Sequence, residues 1–296
     1  MKPVYKAHGA LLLTTLIFGM HYGIAKSLMA GVLQPMQVLF LRILGGVILF
    51  WIFHWLFVRE KVERKDLVTL AVCGLFGFAL NQAFFYEGLN LTTPVDASVI
   101  HVLNPVFVLL FAGMMVQEKI TWTKAVGIFL GAGGALILIL YGRSFSMGNN
   151  SFTGNLLVLL NMIFYAMYLV LIKPLAGKYH TSTIMKWVSL FGLLFILPFS
   201  AGSITTIPVR AFDLQVWLSL AFIIILNTFV AYLLINFALQ SVTATSVSFY
   251  SYLQPVIASI MSVSLGFESI TWPKIAAALL IFSGVYLVNR KVLKGS

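Results

Sequence analysis

The residues of this chain that could carry acid–base, nucleophilic or metal chemistry are few and scattered. The histidines are His8, His21, His54, His101 and His180, and the lone cysteine is Cys73. One cysteine can form neither an internal disulfide nor a CxxC-type metal site. An enzyme needs a tight constellation, such as paired carboxylates, a metal cluster or a nucleophile with its base. No such grouping occurs here, so no catalytic residue, metal or cofactor is expected. The chain offers a different chemistry, in uncharged groups that hydrogen-bond a solute. His101 and Asn104 flank Pro105, and Tyr250, Ser251 and Gln254 flank Pro255. Further groups of the same kind are His21, Tyr22, Asn81, Gln82, Tyr86, Asn161, Tyr165, Tyr168, Asn227 and Tyr232. Asp96 and His101 are the candidates for moving a proton, His101 because imidazole titrates near neutrality.

The elements that must position these groups follow from composition. Of 296 residues, 60% are apolar and 9% charged, where a soluble chain carries about 25% charged residues. Mean hydropathy is +1.00. Disordered chains, disulfide-stapled domains and ordinary cytosolic enzymes are excluded. A membrane-crossing helix needs roughly 20 apolar residues. Ten such stretches are expected, at approximately 7–26, 36–58, 67–86, 94–116, 122–141, 152–173, 183–201, 214–237, 243–266 and 272–289. The fold class expected is therefore all-α and polytopic. The first stretch carries His21 and Lys26 and does not read as a cleaved signal peptide.

The net charge of +11 reads as a topology signal. Fourteen of the Lys and Arg residues fall on the side of the termini and four on the other, with Arg42 inside a span. Basic loops stay cytoplasmic, so both termini are expected in the cytoplasm of a cell bounded by this inner membrane. Nucleic acid is not an expected partner. The mixed-sign cluster from Arg59 to Asp66 reads as a solvated loop.

The second half echoes the first. At a shift of 150, Leu103 to Val106 (LNPV) falls on Leu253 to Val256 (LQPV), and Glu118 to Lys124 (EKITWTK) falls on Glu268 to Lys274 (ESITWPK). At a shift of 147, Phe18 to Lys26 (FGMHYGIAK) falls on Tyr165 to Lys173 (YAMYLVLIK). Two units are read, 7–141 and 152–292, of five spans each. Five is odd, so the units cross the membrane in opposite senses, the inverted repeat of secondary transporters.

These motifs resemble the drug/metabolite transporter superfamily and its EamA-type members, built from two five-helix repeats. The resemblance covers nearly the whole chain. Phe18 and His21 stand where the family commonly has Trp and Asn, and Gln117 where it commonly has Gly. The resemblance implies a central cavity lined mainly by spans 1, 3, 4, 6, 8 and 9, with spans 5 and 10 peripheral.

Several residues admit two readings. Pro105 and Pro255 interrupt spans four and nine at matched positions, which points to a midplane site or to packing kinks. Thr93, Pro94 and Asp96 also fit an N-cap, a first-turn proline and a first-turn acid. Arg42, about two turns into its span, could bind an anionic group, or its stem could carry the guanidinium to the interface; its depth favours the interface. Glu118 and Glu268 read as loop-fixing partners of nearby donors. Gly127, Gly131 and Ala135 allow close helix approach, either within one chain or in a homodimer. The expected function is alternating-access transport of a small amino-acid-like neutral or zwitterionic solute; the resemblance implies export, and coupling to a proton, to another ion or to none stays open. The chain lacks the pair of intramembrane Lys or Arg that a phosphorylated solute needs. The rivals are a passive channel and, further off, a membrane-embedded enzyme.

Overall fold

In hydrocarbon every backbone N–H and C=O must be paired, and a helix pairs them within one segment. A computed structural model describes residues 3–92, 97, 100–118, 121–140, 149–254, 256 and 271–294, and among these no strand occurs. The expected positions Asp96, Pro255 and Glu268 lie outside the described residues. The described chain forms α1 (Pro3–Gly31), α2 (Pro35–Phe57) and α3 (Arg64–Leu91). Then come α4 (Asn104–Met115), α5 (Trp122–Leu140) and α6 (Asn149–Ala176). The last four are α7 (Thr181–Ile204), α8 (Leu214–Leu239), α9 (Ala244–Phe249) and α10 (Trp272–Lys294). Six helices are long and apolar enough to cross a membrane, and α4, α5 and α10 are shorter apolar helices. Large side chains such as Trp55, Phe129 and Phe199 point outward, as lipid-facing surface requires. Trp122 and Trp272, partners in the sequence repeat, are 85% and 82% exposed. Matched tryptophans at the foot of α5 and α10 suit the membrane interface. The protein is a polytopic membrane protein.

The helices pair as a two-fold arrangement demands. α5 packs on α10, α2 on α7 and α4 on α9, while α1 packs on α8 and α6 on α3. Exchanging the halves maps each of the first three pairs onto itself and the last two onto each other. The small-residue stripe of α5 is an internal contact. A Cβ at Gly134 would sit 2.6 Å from the Ala277 carbonyl oxygen, and one at Gly284 would sit 2.6 Å from that of Gly127. These two contacts are each other's image at the 150-residue shift. Gly131 faces Tyr252 and Phe249 of the neighbouring segment.

The same symmetry governs helix ends. The Lys26 ammonium donates to the carbonyls of Leu89, Asn90 and Thr92 at 2.8–3.0 Å. Lys173, its repeat partner, donates to the carbonyl of Leu239, the partner of Leu89. Each lysine satisfies carbonyls left open where α3 and α8 end, and its charge opposes the negative end of the helix dipole.

Two kinds of interruption break the regular helices. Leu75–Leu80 in α3 and Phe222–Val230 in α8 are π-helical, and at the repeat shift the two overlap. In span four the chain turns at Val102 and Leu103, and α4 restarts at Asn104 with Pro105 in its first turn. In span nine, Tyr250–Tyr252 form a 3-10 turn at the matching place.

Loop four ends α4 with the Ala112 carbonyl accepting from the amides of both Val116 and Glu118. That turn puts Gln117 at φ 53°, in the left-handed region that glycine enters freely. Glu118 then pairs with Lys124 at 2.6 Å. The loop from Arg59 to Asp66 is more than solvated surface. Lys178 bridges Glu63 and Asp66 at 2.6 Å each, and the Tyr179 hydroxyl donates to Asp66 and accepts from the Glu63 amide. Lys178 and Lys65 hold the Glu63 carboxyl below the usual carboxylate range.

Two outcomes follow from this packing. Gly284→Leu should destabilise the protein in detergent by about 1–3 kcal/mol or more, whereas Gly133→Leu, whose Cβ would meet nothing within 4 Å, should leave the melt unchanged. Equal melts for the two would contradict the helix pairing. Gln117→Gly should raise the melting temperature, by relief of about 0.5–1 kcal/mol of left-handed strain.

Candidate functional site

Close helix approach builds the site. Gly45 and Gly46 let α2 touch α8, since side chains there would collide with Ile224 and Thr228. Gly77 does the same for α3 against Tyr168 of α6. The helices then enclose a cavity of about 100 Å³. From α1 it is lined by Leu11, Thr14, Thr15, Phe18, His21 and Tyr22, from α2 by Arg42, and from α3 by Asn81, Gln82 and Phe85. His101 and Asn104 line it beside the span-four break, and Asn161, Met162 and Tyr165 from α6. Asn227, Tyr232 and Ile235 come from α8, and Val247, Ser248, Tyr250, Ser251 and Gln254 from α9 and the segment after it. α5 and α10 contribute none of the lining residues. At about 10–15 Å³ per water position, the space holds on the order of seven to ten waters, the size of a small metabolite.

Most of the sequence-derived residues thus meet in one place: His21, Tyr22, Asn81, Gln82, His101, Asn104, Asn161, Tyr165, Asn227, Tyr232, Tyr250, Ser251 and Gln254. Three described residues do not line it. Pro105 sits in the first turn of α4. Tyr86 is fully buried behind the wall, between Arg42 and His21. Tyr168 is fully buried, accepts from Asn236 and packs against the Met185 sulfur.

Arg42 corrects a sequence expectation. It does not reach the interface; it is 3% exposed and turned inward. Its Nε donates to Thr228 at 2.8 Å, and one terminal nitrogen donates to Gln82 Oε1 at 2.7 Å and Tyr86 Oη at 3.2 Å. Its charge also lies near the Tyr86 and Tyr232 rings, 5.9 and 6.0 Å from their centroids. The overlooked signal was helical register. Arg42 follows Val38 and Leu39 by one turn and precedes Gly46 by another, and all of these are buried on one face of α2. Depth alone favoured the interface, but face decided the matter.

A network of neutral groups surrounds the guanidinium. Gln82 Nε2 donates to the Tyr232 hydroxyl at 2.8 Å and to Asn81 Oδ1. Asn81 and Asn161 each donate to the other's backbone carbonyl, at 3.0 and 2.8 Å. The Tyr86 hydroxyl bonds His21 Nε2 at 3.0 Å. His101 Nδ1 is bound to the Ala97 carbonyl at 2.8 Å, which fixes its ring edge-on to Tyr22 and Phe85. Gln82 and Tyr232 are repeat partners at the 150-residue shift. Residues related by a two-fold axis touch only beside that axis, so the axis passes through this wall of the cavity. Several polar atoms stay unpaired despite burial: Oδ1 of Asn104, Oδ1 of Asn161, and both amide atoms of Asn227. Buried polar atoms without partners are costly and are what a polar solute would satisfy. No His, Cys, Asp and Glu grouping fit to hold a metal occurs among the described residues.

This arrangement agrees with what the chain resembles. It is 27% identical over 288 residues to an uncharacterized transporter of Archaeoglobus fulgidus, covering 97% of this chain and 98% of that one. It is 26% identical over 239 residues to the "Probable terminal-alkyne amino-acid exporter" of Streptantibioticus cattleyicolor, covering 79% and 77%. A crystal structure with 18% identity superposes over 99% of this chain and 98% of its own, with a TM-score of 0.77, which shows the fold. The sequence pattern of the EamA-like transporter family matches twice, over residues 6–140 and 152–290. With a five-helix unit matched in each half, the chain belongs to the EamA-like transporter family, within the drug/metabolite transporter superfamily.

Proposed function

We propose that the protein moves a small organic solute, an amino acid or related neutral or zwitterionic metabolite, across the cytoplasmic membrane by alternating access. One observation carries this reading: the polar cavity lies where the two halves meet, on the axis that relates them. Two near-equal halves can exchange which side is open while the site stays fixed. The lining combines Phe18, Phe85, Ile235 and Met162 with the amides and hydroxyls named above, which suits a solute with both apolar and polar surface. A relative named as an amino-acid exporter supports the solute class and the export direction. The Lys and Arg bias supports cytoplasmic termini.

Reconstituted into vesicles, the protein should release preloaded members of an amino-acid panel, and His101→Ala and Gln254→Ala should lower that flux by about tenfold with unchanged melts. Normal flux in both variants would remove the cavity from the pathway. Flux of a fixed solute should respond to an imposed pH gradient where a proton is coupled; indifference would remove the proton. Topology is checked by cysteines placed at Lys178 and Lys294, which should label only from the cytoplasm. The native Cys73 is fully buried and gives a silent background.

A further inference from the structure

We propose that Arg42 is the carboxylate-binding residue of the cavity, so that the solute carried is a carboxylate. The inference rests on the transporter reading above and names the group that the site recognises. A guanidinium is a cation, and that of Arg42 is buried. It has only neutral acceptors: Thr228, Gln82 and Tyr86. Among the described residues no carboxylate pairs with it, and the ion pairs present all lie at helix ends and in the loops beside them. A buried charge without a counter-charge is strongly disfavoured, and here the missing charge can arrive with the cargo.

The geometry fits that role. Gln82, Tyr86 and Thr228 hold Nε and one terminal nitrogen, while the second terminal nitrogen bonds no described residue. Asn227, next to Thr228 in the chain, 1% exposed and lining the same cavity, has an unpaired amide nitrogen as a second donor. A carboxylate can accept a charge-assisted hydrogen bond from the second terminal nitrogen of Arg42 and a second bond from Asn227. The unpaired acceptors on the same cavity are Oδ1 of Asn104 and of Asn161. They suit an ammonium, which an amino acid carries and a simple organic acid lacks.

The test is a thermal-shift and vesicle-flux comparison of L-amino acids, their carboxamides and the matching 2-oxo acids. At least one acid should raise the melting temperature and cross the membrane, while its carboxamide should bind at least about tenfold more weakly. Shifts from the amino acids alone would name an amino-acid carboxylate; shifts from the oxo acids as well would name carboxylates in general. Arg42→Gln should weaken binding of the acid by on the order of tenfold to a hundredfold and leave that of the carboxamide unchanged, with Arg42→Lys intermediate. The acid-against-amide comparison on the unaltered protein stands even where Arg42→Gln fails to fold. A carboxamide that binds as well as its acid, a melt that responds to chloride as strongly as to any acid, or a panel in which no acid binds overturns the assignment. Transport of an amide with no dependence on Arg42 would leave the transporter reading standing, whereas vesicles that pass no solute would remove that reading itself.

Discussion

In hydrocarbon, a polar group that is not paired within the protein has nothing else to bind. The rest of this structure follows from that constraint. Beyond the helices' own backbone ladders, the chain meets it by pairing both within each half and across the two. Lys26 closes the end of α3 and Lys173 the end of α8, each within its own pseudo-symmetric setting. Asn81 and Asn161 exchange amide hydrogen bonds across α3 and α6. Gln82 of the first half meets Tyr232 of the second. Among the buried polar atoms left unpaired, those of Asn104, Asn161 and Asn227 belong to residues that line the cavity.

Apolar packing supplies the complementary half of the design. α5 and α10 contribute nothing to the cavity, yet they meet through glycines so closely that a single methyl would collide with a backbone oxygen. Without a hydrophobic force between helices in lipid, such close backbone approach is what holds helices together. α5 and α10 are regular helices, while α3 and α8 carry π turns and α4 has a proline in its first turn. These interruptions fall in helices that line the cavity, where neighbouring protein can satisfy the freed groups.

Much of this was legible in the sequence, for physical reasons that can be named. The polytopic all-α fold could be read because a bilayer dictates length and hydropathy. The inverted repeat could be read because Glu118 to Lys124 recurs 150 residues on. Most of the cavity could be read because polar residues at membrane depth seldom face lipid. Arg42 was misplaced because depth along a helix says nothing about face, and face is set by Gly45 and Gly46 touching α8. Tyr86 and Tyr168 share the depth of the lining residues but stand one layer behind them, and composition carries no record of layers. The glycine stripe of α5 was ambiguous until its partner helix was seen. The departure at Gln117 from the family's usual glycine acquires a meaning only from its backbone angle.

The Gln82–Tyr232 contact has a consequence for energetics along the path. A point on a two-fold axis is carried onto itself when the halves exchange, so a solute resting there has about 15 Å of the hydrocarbon core on either hand. Path length then favours neither face. A scaffold with two-fold symmetry has no preferred direction of its own. Chemistry beside the axis breaks the two-fold relation: at the 147-residue shift, the counterpart of Arg42 is the uncharged Ser189.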